Sequence, residues 1–348
     1  MLLGWCAGLL AILLALMPTV SVAGAREALS LCANVLIPSL FPFFVCTNLL
    51  IESGFPVYAG KRLAKGTKAL FGIGGSGSIA ILMGLISGYP AGAAITCRLY
   101  QKGCLTATEA MRLLAFTNNA GPLFVIGAVG VGVYGDSRIG ALLWASLLLS
   151  SFFTGILMRF WGRSMSLHAK IVPAQEKQHV MESAVETMLT LCGYVVFFAV
   201  ILALSKQLGI IAMLSKGLVF LGVPENAAQL FACGFFEISS AMTTVGGTEY
   251  AAVAMILAFG GLSVLLQTMG IVRKYGLSMK TYVVGKLISA GLAGLIVRLF
   301  FRFLPLHDTA VASPSQFIPP FLYLAGALFL VLLLFCIRKR FFGAGHNT

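Results

Sequence analysis

Acidic side chains are scarce in this chain: 11 Asp and Glu stand against 24 Lys and Arg in 348 residues, and charged residues make up 10% of it. Soluble domains carry about 25%, so a soluble fold cannot be assembled from this composition. Metal and redox chemistry lack their raw material. The cysteines Cys6, Cys32, Cys46, Cys97, Cys104, Cys192, Cys233 and Cys336 form no C-x-x-C pair and mostly lie within apolar runs. They read as small core residues, which leaves no disulfide framework and no zinc site. His168, His179, His307 and His346 fall in loops or the tail, so no intramembrane metal centre is expected. Catalytic signatures are missing too: there is no G-x-S-x-G elbow, no H-E-x-x-H, no paired intramembrane aspartates and no Walker loop. An ATP-driven pump is excluded, and no enzyme activity or cofactor is expected. The run 72-GIGGSG-77 imitates a phosphate cradle without the strand–turn–helix context, and it reads as the start of a helical hairpin.

What the chain has in quantity is apolar length. It is 59% hydrophobic, with a mean hydropathy of +0.97. Its apolar runs approach the roughly 20 residues of a spanning helix, whereas barrel strands show about 10 residues of alternation. The reading is an all-α polytopic membrane protein whose first partner is the lipid bilayer. The excess of basic residues is scattered through short loops, as the positive-inside rule requires, and no nucleic-acid module is present. Helical segments are expected at 2–22, 29–52, 56–71, 74–100, 106–133, 137–161, 182–208, 210–222, 226–246, 248–273, 281–304 and 318–338. Residues 2–22 are followed by Ala23-Gly24-Ala25, which imitates a signal-peptidase site. The run begins without Lys or Arg and exceeds a usual signal core, so a retained first helix is expected.

The polar connector 162–181 divides the chain near its middle, and the two sides can be laid over each other. "LIPSLFPFFVCTNLL" (36–50) falls on "TLCGYVVFFAVILAL" (190–204), "GLISGYPAGAAIT" (84–96) on "GFFEISSAMTTVG" (234–246), and "LLAFTNNAGPLF" (113–124) on "ILAFGGLSVLLQ" (256–267). Each half then holds five helical elements in one order. Basic anchors at Arg338-Lys339-Arg340, in the connector, and at Arg273, Lys274 and Lys280 set the cytoplasmic side. Counting back puts both ends of 74–100 inside and both ends of 226–246 outside. Each becomes a re-entrant hairpin, and the halves become inverted repeats. Lys206, Lys216, Arg298 and Arg302 fall near the outer side in this scheme, where long side chains can snorkel to the interface. The expected divisions are a first transmembrane helix (1–28), a first repeat (29–161), the cytoplasmic connector (162–181), a second repeat (182–304), and a last transmembrane helix with a basic tail (305–348).

Irregular backbone at membrane depth is tolerated only where it is buried in protein or lines a wet cavity. Inverted repeats with broken helices are how many secondary transporters build a midplane site. The first candidate break is Ser87-Gly88-Tyr89-Pro90 with Gly92. Glycine permits the turn, Pro90 suits the first position of a returning half-helix, and the N–H groups after it favour an anion. The alternative is a packing face made by Gly84, Gly88 and Gly92 at four-residue spacing. The second break is 117-TNNAGP-122, where Thr117, Asn118 and Asn119 place costly polar groups at depth. A helix break satisfied by its neighbours is the plain alternative there. Matching positions in the second half offer Ser239, Ser240, Thr243, Thr244, Ser263, Gln267 and Thr268 as polar groups. Glu237 is a carboxylate inside an apolar segment, with roles open among proton carrier, cation ligand, substrate acceptor and paired structural carboxyl.

The "LIPSLFPFF" helix, the "GLISGYPAGA" hairpin, "LLAFTNNAGPLF" and the Glu-containing "FFEIS" segment together resemble the sporulation integral membrane proteins of the YlbJ type. These belong with the nucleoside-recognition or Gate domain proteins. The resemblance implies a fold similar to concentrative nucleoside transporters, in the cell membrane or outer forespore membrane of a spore-forming bacterium. It also implies a task, the passage of dipicolinate, a small aromatic dianion, from the mother cell across the outer forespore membrane. A nucleoside or related solute carrier and a non-transporting membrane scaffold are the competing readings. Association into a homo-oligomer stays open.

Overall fold

In a bilayer core no water satisfies backbone N–H and C=O groups, so a spanning chain must be helical or a closed barrel. The computed structural model describes residues 2–53, 55–161, 180–242 and 249–303, and among them there is no strand. The first part of the chain forms α1 (Leu2–Leu16), α2 (Pro18–Leu31), a π-helical stretch (Cys32–Leu36), α3 (Ile37–Glu52), α4 (Phe55–Phe71), a 3-10 turn (Gly75–Gly77), α5 (Ser78–Ser87), α6 (Ala91–Gln101), α7 (Ala107–Thr117), a second π stretch (Leu123–Val131) and α8 (Ser137–Met158). The second part forms α9 (Val180–Gln207), α10 (Ile210–Phe220), α11 (Glu225–Gly234), α12 (Ile238–Met242), α13 (Tyr250–Phe259), α14 (Gly261–Arg273) and α15 (Lys280–Phe303). Most of the connector, the expected helix over 318–338 with its basic tail, and Thr243 and Thr244 lie outside the described residues.

Four helical stretches among the described residues are long and apolar enough to cross a membrane: α8, α9, α13 with α14, and α15. Their faces are sorted the way lipid demands. On α8 the exposed side chains include Leu149, Phe152, Phe153 and Leu157, while Ser146, Ser150, Ser151 and Thr154 are buried. Those buried hydroxyls bond locally or to a neighbour, as when Ser150 meets Ser289 of α15 at 3.2 Å. A polar inside and an apolar outside is the arrangement for a helix solvated by hydrocarbon.

Two expected boundaries move. The segment 2–22 is not one helix: α1 ends at Leu16 and the chain turns by 100° into a new helix at Pro18. Proline has no N–H to continue the first helix and is well placed to begin the second. From Pro18 the chain is helical to Glu52, so the division expected at residue 28 falls inside a continuous helix. Pro38 and Pro42 each remove a helical hydrogen bond from it, and the turn before Pro38 widens to π geometry.

Before the connector α5 and α6 form a helical hairpin, α7 is separated by a break from the second π stretch, and α8 is long; after it, breaks separate α11 from α12 and α13 from α14, and α15 is long. Both feet of the first hairpin are held by a single carboxylate. Glu109 accepts from the Gly74 N–H at 2.6 Å through one oxygen and from the Thr106 N–H at 2.9 Å through the other. The second contact belongs to the capping box that opens α7. The same end of the bundle gathers the basic ends of several helices. Arg98 of α6 donates to Asn48 of α3, Lys102 pairs with Glu52 at 2.9 Å, and Lys274 at the end of α14 pairs with Glu186 of α9 at 3.5 Å. The run 72-GIGGSG-77 is a close crossing: a Cβ at Gly75 would overlap the carbonyl of Gly60 on α4.

Candidate functional site

Four interruptions of helix converge in this bundle, and each has a local cause. Between α5 and α6, Gly88 adopts φ 83°, a left-handed value that side chains resist. Between α7 and the second π stretch, 118–122 ends in Gly121-Pro122, which cannot extend the helix. Between α11 and α12 the chain is non-helical at Glu237. Between α13 and α14, Gly260 at φ 98° and Gly261 at φ 70° break what hydropathy alone reads as one span.

Freed backbone groups at depth must find partners, and here they find each other. The N–H of Ala91 donates to Gly88 O at 3.0 Å, closing the tip of the first hairpin. The N–H groups of Leu262 and Ser263 donate to the carbonyls of Phe235 and Phe236 at 2.7 and 3.0 Å, stitching the third and fourth breaks together. The first and second breaks are pressed close by glycine. A Cβ added at Gly84 or Gly92 would overlap the Thr117 carbonyl oxygen, and one at Gly88 would come within 3.0 Å of the Gly121 nitrogen.

The first three breaks line one cavity of about 50 Å³, and α14, which follows the fourth, adds Ser263, Val264 and Gln267 to its wall; the volume holds about three to five waters at 10–15 Å³ each. Its first-half wall is Leu36, Leu40, Gly88, Tyr89, Gly121 and Phe124. Its second-half wall is Leu191, Val195, Glu237, Ile238, Ser239, Ser263, Val264 and Gln267. The first side is apolar and aromatic, and most of the polar side chains come from the second. Gln267 donates to Ser263 Oγ at 3.3 Å, and Glu237 is 3% exposed.

Behind this wall lies a buried polar network that joins the two halves. Asn118 Nδ2 donates to Thr268 Oγ1 at 2.9 Å and to the Tyr282 hydroxyl at 3.2 Å. Lys286 of α15 is 1% exposed and donates from Nζ to the main-chain oxygen of Asn118 at 2.7 Å. Its ammonium also lies 5.4 Å from the centroid of the Tyr89 ring. The Tyr89 hydroxyl in turn donates to the Leu257 carbonyl on α13. Asn119 is committed within the first half, donating to Phe116 O at 2.7 Å and to Ser151 Oγ of α8 at 2.9 Å.

The chain is 30% identical over 336 residues to the sporulation integral membrane protein YlbJ of Bacillus subtilis (strain 168), an alignment that covers 86% of this chain and 82% of that one. The chain belongs to the YlbJ family of sporulation integral membrane proteins. No family model matches it, and no solved structure does. Membership makes it a multi-pass integral membrane protein of sporulation, in keeping with its spanning helices.

In this YlbJ-family chain the expected site residues divide into layers. Gly88, Tyr89, Glu237, Ser239, Ser263 and Gln267 line the cavity. Thr117, Asn118 and Asn119 are buried behind it, with Thr117 Oγ1 donating to Leu113 O at 2.8 Å. Ser87 is buried, and its hydroxyl has no hydrogen-bond partner among the described residues. Pro90 is the residue before α6 and not its first helical position. Gly92 is a packing glycine against Thr117, as the four-residue spacing suggests, and does not line the cavity. Ser240 lies on α12, with its side chain outside the described set.

Sequence reasoning passed over Lys286 and Tyr282. The signal for Lys286 was present, the one charged residue between Lys280 and Arg298 in the apolar helix 280–303, which is the pattern that flags a functional group at depth. Tyr282 carried no such signal, because its role depends on the approach of Asn118 from the other half.

Proposed function

We propose that this protein is a secondary transporter or facilitator for a small organic anion, with dipicolinate as its cargo across the outer forespore membrane. The observation that carries this reading is the convergence of helix breaks from both halves on one cavity: three line it, and the fourth is hydrogen-bonded to the third beside it. A scaffold has no need to gather interrupted helices around a cavity, whereas a carrier needs unwound backbone and polar side chains around a solute. The charge scheme, in which the two hairpins enter from opposite faces, supplies the inversion that alternating access uses. The present cavity is too small for an aromatic dicarboxylate, so loading requires the hairpin tips to separate. The YlbJ relationship, through the sporulation role of the relative, supports the choice of cargo.

A neutral polar solute such as a nucleoside is the competing cargo, and the Ser239, Ser263 and Gln267 side of the wall favours it. The test is uptake of dipicolinate and of uridine by proteoliposomes holding the full-length protein. Dipicolinate flux above protein-free vesicles, with uridine at background, supports the anion reading. The reverse pattern supports a nucleoside carrier, and flux of neither returns the protein to a scaffold.

A further inference from the structure

The buried side-chain nitrogen of Lys286 is under-satisfied. An ammonium has three N–H donors, and among the described residues Lys286 has one hydrogen-bond acceptor, the Asn118 carbonyl oxygen, and no carboxylate partner. The remaining neighbour of its charge is the Tyr89 ring, a weak substitute for an anion. Burying a cation on these terms is costly, and a lysine kept at depth despite that cost marks a ligand or ion pathway. A second group in the same place is also incomplete: Asn118 Oδ1 is buried with no donor. Lys286 does not line the cavity, but Tyr89 does.

Resting on the transport reading, we propose that Lys286 is a concealed carboxylate subsite and that the Tyr89 ring is the movable layer covering it. In the state seen here the ring is held over Lys286 by its hydroxyl bond to Leu257 O, and the lysine nitrogen lies against the ring face. When that bond opens and the ring swings away, the two spare N–H donors of Lys286 take one carboxylate of the solute. The cavity then gains the positive charge that its own lining, with Glu237 as its ionisable acid, lacks.

The experiment measures binding and flux of dipicolinate and of its uncharged diamide in full-length wild type, Lys286→Gln, Lys286→Arg and Tyr89→Ala. Lys286→Gln is expected to weaken dipicolinate binding about tenfold or more, the loss of a charge-assisted hydrogen bond, and to abolish the preference over the diamide. Lys286→Arg keeps most of that preference. Should Lys286→Gln not fold, labelling of the native lysine decides: Lys286 should react with a small amine-directed reagent about tenfold faster in Tyr89→Ala, and dipicolinate should slow it. Unchanged preference in Lys286→Gln overturns the subsite, as does labelling indifferent to both Tyr89→Ala and dipicolinate. Wild-type vesicles that move no dipicolinate overturn the transport reading itself, whereas equal flux by wild type and Lys286→Gln overturns the subsite alone.

Discussion

Lys286 and Asn118 are tied through the main chain: the ammonium on α15 donates at 2.7 Å to the carbonyl that the break after α7 sets free. The same residue's side chain holds Thr268 and Tyr282. One asparagine at a helix break therefore connects the first half of the chain to two helices of the second.

Removing that side chain should be felt in stability. Asn118→Ala strips a partner from Thr268 and Tyr282 and is expected to cost about 1–3 kcal/mol. The lower part of that range is expected, because Thr268 and Tyr282 stand 3.4 Å apart and can bond each other. Thermal unfolding in detergent measures it, and a melting temperature equal to that of wild type would show that the network contributes nothing.

Glycine at position 92 is required by approach and not by conformation. Gly92→Ala must push the hairpin off the Thr117 carbonyl, a rigid neighbour, and should cost about 1–3 kcal/mol or more. Gly66→Ala on α4 has open space around it and should stabilise by up to about 1 kcal/mol. If the two substitutions behave alike, the close crossing is absent in the membrane.

Asp136 caps α8 by accepting from the Arg138 N–H at 2.8 Å. Hydrogen bonds from the Arg138 guanidinium hold its carboxyl below the usual range. A carboxylate lowered on folding stabilises fully above its unfolded value of about 3.9, and the contribution fades as pH falls through the lower folded value. The stability gap between wild type and Asp136→Ala should therefore be about 1 kcal/mol, level from pH 8 to pH 5, and shrink only under about pH 4. A gap that grows on acidification contradicts the cap.

Glu237 faces the cavity from the third break. On the transport reading, Glu237→Gln keeps the fold and the melting temperature but lowers flux by about tenfold, roughly 1.4 kcal/mol in a barrier. Paired flux and unfolding measurements separate this from a structural carboxyl, for which stability falls first.

The helices and their breaks were largely legible in the residues. Apolar length located α8, α9 and α15 to within a few positions, because hydropathy sums over local sequence and a spanning helix needs nothing else. Gly88 and Gly121-Pro122 announced their breaks because glycine and proline act on their own backbone. The bend at Pro18 was equally local, yet the apolar run around it masked the signal. Gly92 was harder, since a close-approach glycine and a site glycine look alike until the opposing carbonyl is known.

The sequence by itself determined a membrane protein of helices, several of the places where those helices break, and a family membership carried by motifs. Only the tertiary structure decided which groups share a site. It put Tyr89 on the cavity wall and Lys286 behind it, turned Asn118 from a cavity ligand into a hub of buried bonds, and set Glu237 opposite an apolar face. The physical reason is range: helix formation and breaking are settled within a few residues. The partners of a buried charge are chosen by contacts between positions as far apart as 118 and 286, which no local pattern encodes.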